Sequence, residues 1–126
     1  MDIKDIINFN GSEIIHAKSN FKLNIKELDY LKKFKLNKVT DKGEEASLIS
    51  NSTHIFNNLE LERVKDYFHY QVKIYLREVM GIDHKLELLN SWYTLNKKNS
   101  QHHSHSHPNS FISICYYPQL KSGNLE

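Results

Sequence analysis

The chain has one cysteine in 126 residues, Cys115, so an internal disulfide is excluded. Cys115 lies between apolar residues in a β-prone run and reads as a small buried hydrophobe rather than a nucleophile. No apolar run approaches the roughly 20 residues a membrane-spanning helix needs. The opening Met1-Asp2-Ile3-Lys4-Asp5 lacks the apolar stretch of a signal peptide. A soluble protein in the reducing cytoplasm is the expectation. Strong charge of one sign is also missing. The formal net charge is +2 with histidines neutral, and Lys and Arg are dispersed along the sequence, which gives no strong case for nucleic acid as a partner. No segment repeats. What is present is 39% hydrophobic and 25% charged residues, enough for one modest core in a single domain over 1–126 and far from a disordered composition.

The most unusual stretch is His102-His103-Ser104-His105-Ser106-His107-Pro108. Neutral imidazole is the commonest protein ligand for transition metals. On an extended strand residues i and i+2 share a face, so His105 and His107 are placed to grip one ion from one side. His103 shares that face but lies four residues from His107, roughly 13 Å along a strand, against metal–imidazole bonds of about 2 Å. A third ligand must come from elsewhere in the fold. A solvated histidine-rich loop is the competing reading. Pro108-Asn109-Ser110 follows as turn chemistry, and Phe111 to Tyr117 follows as a β-branched and aromatic strand ended by Pro118.

The N-terminal part supplies the support. Ile6 to Phe9 and Ser12 to Ala17 flank Asn10-Gly11, a strong hairpin signal. His16, in the second strand, reads as a packing residue. Asn24 and Glu27 form a capping box for a short helix over about 25–34, with Ile25, Leu28, Leu31 and Phe34 at helical spacing. Residues 35–54 show no periodicity and read as a long loop with a helical turn near 44–49. Asn57, with Glu60 three residues on, is the expected N-cap of a second helix. Leu61, Val64, Phe68, Val72, Tyr75 and Val79 make its apolar stripe, and Gly81 stops it. Tyr67, Tyr70 and Tyr75 belong to the core and its edge rather than to a stacking platform, and His69 is solvated. Asp83 to Asn96 is expected to be extended, with a bulge where the alternation slips at Leu89. The helices-then-strands order predicts an α+β domain, with N-terminal helices packed on an antiparallel sheet or roll.

The order Ser91-Trp92, a polar loop, His105-Ser106-His107-Pro108-Asn109-Ser110, then Ile112-Ser113, Tyr116-Tyr117 and Ser122-Gly123-Asn124 resembles the iron(II)/2-oxoglutarate-dependent oxygenases. More narrowly, it is similar to a small branch of that family found in phages and marine bacteria. The likeness covers about residues 55–126, with weaker support over 25–54. It implies a double-stranded β-helix, or jelly roll, here incomplete: 1–82 as a helical support region and 83–126 as the first strands of the roll. It implies Fe(II) as cofactor and 2-oxoglutarate as cosubstrate, with His105 as the first iron ligand and His107 as the second. Within that reading Trp92 and Tyr116 are candidates to line the pocket, although for both the expected role is packing in the core. The substrate, a small molecule or a protein side chain, is not encoded in any motif. The wider superfamily carries Asp or Glu where this chain has His107, and Ile114 stands where the family favours glycine. After His107 there is no histidine or arginine, whereas the family places a distal His and a 2-oxoglutarate-binding Arg or Lys on later strands. The chain therefore reads as the N-terminal part of such a domain, inactive alone. Two other readings stay open: a non-catalytic cupin-like module that binds metal or a small ligand, and a solvated tract on a structural protein.

Overall fold

The computed structural model describes residues 2–9, 12–38, 48–96 and 110–118, the first of these spans and 12–14 by backbone only. The chain begins with an antiparallel hairpin of β1 (Asp2–Phe9) and β2 (Ser12–Lys18), its register running from Phe9 opposite Ser12 to Asp2 opposite Lys18, with an irregularity between Ile3 and Asp5. The predicted turn dipeptide Asn10-Gly11 lies outside the described residues.

Helix α1 (Ile25–Leu31) starts where the capping box predicts. Asn24 Oδ1 accepts the Glu27 N–H and Glu27 Oε1 accepts the Asn24 N–H, both at 2.8 Å. Leu28, Leu31 and Phe34 turn inward as half-buried residues, but Ile25 is 77% exposed and drops out of the expected stripe. The first turn packs through Glu27 and Leu28 instead.

Residues 35–54 are not the featureless loop the sequence suggests. They contain β3 (Leu36–Lys38) and β4 (Leu48–Ser50), paired antiparallel, and β4 continues to β5 (Thr94–Leu95) in the order β3-β4-β5. The expected turn at 44–49 falls mostly outside the described residues. Strands of two and three residues are too short to show alternation, so only long-range pairing reveals them.

The second helix begins later than Asn57 predicts. Two 3₁₀ turns, Ile55–Asn57 and Leu59–Leu61, precede α2 (Glu62–Tyr75), whose N-cap is Leu61 with no side-chain cap. Ile55, Phe56 and Leu61 are all buried, and drawing these three apolar side chains inward over seven residues favours tight turns over one continuous helix. Asn58 Nδ2 donates to Ile55 O at 2.8 Å and secures the first turn. The helix ends in a π turn (Leu76–Met80) and Gly81, left-handed at φ 64°; the Gly81 and Ile82 N–H groups both return to Leu76 O.

The core is Ile55, Phe56, Leu61 and Val64, with Phe21, Leu23, Tyr30, Leu31, Phe34, Phe68 and Tyr93 packed around it. Burial of the α2 stripe extends to Gln71 and Leu76, which the apolar spacing did not select. Residues 81–90 form no strand, and Leu88 and Leu89 are exposed, so there is no ladder at Leu89 to bulge. The run 111–117 is not a strand either, and no described residue pairs with it. β propensity is realised only beside a partner strand, and here propensity without a neighbour leaves Phe111, Ile114 and Tyr117 exposed. The described architecture is thus two helices, a three-stranded antiparallel sheet and a separate hairpin. No helix among the described residues is long and apolar enough to cross a membrane.

Candidate functional site

His102, His103, His105 and His107 lie outside the described residues, which stop at Asn96 and resume at Ser110. Both flanks of that span are described, and each is held to the body of the protein in a different way.

The upstream flank is a serine joint. Ser91 is buried, its N–H donates to Thr53 O at 2.8 Å, and its carbonyl accepts the Ile55 N–H at 3.1 Å, a parallel bridge beside His54. Ser91 Oγ accepts the buried Phe56 N–H at 3.0 Å. Two residues on, the Tyr93 N–H donates to Ser50 Oγ at 3.2 Å and the Ser50 N–H to Tyr93 O at 2.9 Å. A small hydroxyl is needed at 50 and 91 because backbone polar groups crowd there and a larger side chain would displace them. Trp92, between Ser91 and Tyr93, turns outward and is 37% exposed.

The downstream flank is an aromatic anchor. Tyr116 is half-buried and its hydroxyl donates to Phe21 O at 2.7 Å. Its ring meets Phe21, Tyr67 and Phe68 at centroid distances of 6.0, 6.2 and 5.8 Å, edge-on to Phe68 at 85°. Phe21 in turn stacks on Tyr67 at 4.0 Å and 11°, and the Arg63 guanidinium covers its other side at 4.3 Å. Tyr67 is hydrogen-bonded to Ser19. Burial pushes the Tyr116 phenol above its ordinary value; nearby Tyr67 raises it further and Arg63 opposes. Tyr116 therefore remains a neutral donor to Phe21 O at physiological pH.

Arg63 joins this cluster to α1. Its Nη2 donates to Glu27 Oε1 and Lys22 O, both at 2.6 Å, and its Nε to Glu27 Oε2 at 3.1 Å. Glu27 is 3% exposed. Burial alone would raise its carboxyl, but the Arg63 hydrogen bonds, the Asn24 N–H and the Arg63 charge together hold it below the usual range. The capping box makes Glu27 legible as a cap; its second role, receiving an arginine 36 residues away, has no local sequence signal.

Of the two candidate pocket residues, Tyr116 packs in the aromatic anchor, the core role expected of it, and Trp92 is 37% exposed. A cleft among the described residues lies at the start of α2. It holds about 100 Å³ between Phe56, Asn57, Asn58, Leu59, Glu62, Lys65 and Asp66. Substrate and cofactor pockets run to roughly 300–1,000 Å³, so this cleft is too small for 2-oxoglutarate together with a substrate. Among the described residues no three His, Cys, Asp or Glu side chains gather where they could hold a metal ion. Cys115 is exposed rather than buried as expected, because the strand that would bury it does not form; His16 is exposed, and so, as expected, is His69. The chain matches no protein-family model, no curated protein and no solved structure.

Proposed function

We propose that the chain belongs to the iron(II)/2-oxoglutarate-dependent oxygenase type, an incomplete jelly roll whose first metal ligands are His105 and His107. The support is the ordered motif in the sequence: Ser91-Trp92, a polar loop, His-Ser-His-Pro-Asn-Ser, then Tyr116-Tyr117. Two imidazoles suit Fe(II), and the familiar facial triad adds a carboxylate and leaves three positions for the keto acid and dioxygen. Iron so held would supply oxidation of a C–H bond in a small molecule or protein side chain, with the cytoplasm as its setting.

The donor set is partial. The tract between 102 and 107 contains no carboxylate, and no histidine or arginine follows His107 in this sequence. This chain alone is therefore expected to bind Fe(II) without turning over 2-oxoglutarate. The role of the described residues is mechanical: the Ser91 joint and the Tyr116 anchor fix the chain on either side of the tract. Histidine at 107 rather than Asp or Glu favours one second reading, a cupin-like module that binds metal without catalysis.

Anaerobic Fe(II) titration of the full chain, followed by calorimetry, tests the proposal. One site per chain is expected, lost in H105A/H107A and kept in H102A/H103A. Unchanged binding in H105A/H107A overturns it. Adding 2-oxoglutarate separates the two readings. Tighter iron binding in its presence supports the oxygenase type, whereas binding indifferent to it supports the cupin-like module.

A further inference from the structure

Lys and Arg occur throughout the sequence, but seven of the fifteen lysines fall within residues 18–38. Lys18, Lys22, Lys26, Lys32, Lys33, Lys35 and Lys38 are all exposed. The stretch 18–38 holds these seven lysines against two acids, a formal +5 in a chain of +2 overall, so the remainder carries net negative charge. One of the two acids, Glu27, is buried and already paired with Arg63, leaving Asp29 as the one exposed carboxylate of the stretch. The lysines sit at the end of β2, around both ends of α1 and along β3. α1 is about 10 Å long. Lys22, Lys26, Lys32 and Lys33 therefore fall within one turn of a nucleic-acid duplex, roughly 34 Å.

We propose that the 18–38 face binds the phosphate backbone of nucleic acid without regard to sequence. The chemistry of the face selects this partner. Ile25 is the one large apolar side chain exposed across the stretch. Anionic lipid headgroups also attract lysines, but apart from Ile25 this stretch has no exposed apolar stripe to insert beside them and no aromatic or aliphatic centre for a protein interface. A phosphate polymer needs spaced cations alone. The stretch contains no arginine, and lysine binds phosphate as a point charge, which makes sequence-independent contact the expected mode. The inference is independent of iron and of the histidine tract.

Fluorescence anisotropy of the full chain with a labelled 20-base-pair duplex of arbitrary sequence is the test. Four phosphate contacts would give a slope of about −3.6 in log K against log salt, a loss of roughly 100-fold between 50 and 200 mM. K32E/K33E should flatten that slope by about 2 and weaken binding at least tenfold at 50 mM. K73E/K85E, an equal charge change at exposed positions outside the face, should leave the slope unchanged. Equal losses in both variants would mean that net charge alone drives binding and would overturn the proposal. So would no binding at 50 mM salt, or binding to anionic vesicles without binding to the duplex. Circular dichroism of each variant confirms that the helices persist.

Discussion

Ser91→Ala removes one oxygen and leaves one backbone group without a partner. The Phe56 N–H, donating at 3.0 Å to Ser91 Oγ, lies between residues that are 7% and 9% exposed, so water cannot readily replace the lost acceptor. A buried donor left unsatisfied costs about 1–3 kcal/mol. The backbone bonds of Ser91 to Thr53 and Ile55 survive the substitution, so the loss should sit near the middle of that range, about 2 kcal/mol. Against a total stability of about 5–15 kcal/mol this is a large fraction. For a domain of this length about 3–5 °C of Tm accompanies each kcal/mol, so Tm should fall by about 6–10 °C. Guanidinium denaturation followed by circular dichroism at 222 nm, with thermal melts, measures it. Ser113→Ala, at an exposed position, is the control and should change stability by less than about 0.5 kcal/mol. A Ser91→Ala variant within about 0.5 kcal/mol of the parent would mean that Phe56 N–H has another partner and that the joint is misplaced.

Because the folded Glu27 carboxyl is held below its unfolded value of about 4.3, its contribution is fully present above that pH and fades as pH falls through the lower folded value. Glu27→Gln should lower Tm at pH 7 and flatten the decline in stability below about pH 5; an unchanged acid limb would show that the Arg63 pair is not formed. Gln71 is buried with Oε1 unpartnered, so Gln71→Met, which keeps the length and removes the orphaned oxygen, should raise Tm by a few degrees in a thermal melt. Gly81 is left-handed with open space where a Cβ would sit, so Gly81→Ala should destabilise through backbone strain alone, by about 1 kcal/mol in a denaturant titration.

Local signals were sufficient for the elements that local chemistry controls. The Asn24–Glu27 box, the apolar spacing along α2 and the glycine that ends it can each be read within one or two helical turns, and each appears in the structure. The same reading failed at Asn57, where three apolar side chains drawn into the core displaced the helix start by four residues, to an N-cap at Leu61. It failed again over 111–117, where β propensity found no neighbouring strand among the described residues, and over 35–54, where strands of three residues form only because β4 bridges β3 and β5. For the candidate site, the sequence alone supplied His105 and His107, which lie outside the described residues. It selected Trp92 and Tyr116 by residue type, without showing that one faces outward and the other packs on Phe21.

The sequence by itself determined the helical segments, the hairpin and the chemistry of the histidine tract, because capping, periodicity and imidazole coordination depend on residues a few positions apart. The tertiary structure decided which polar groups became joints. Ser91 meets Phe56 across 35 residues, Arg63 meets Glu27 across 36 and Tyr116 meets Phe21 across 95. Pairings of that range are set by how apolar faces close over one another, and no window of sequence contains both partners.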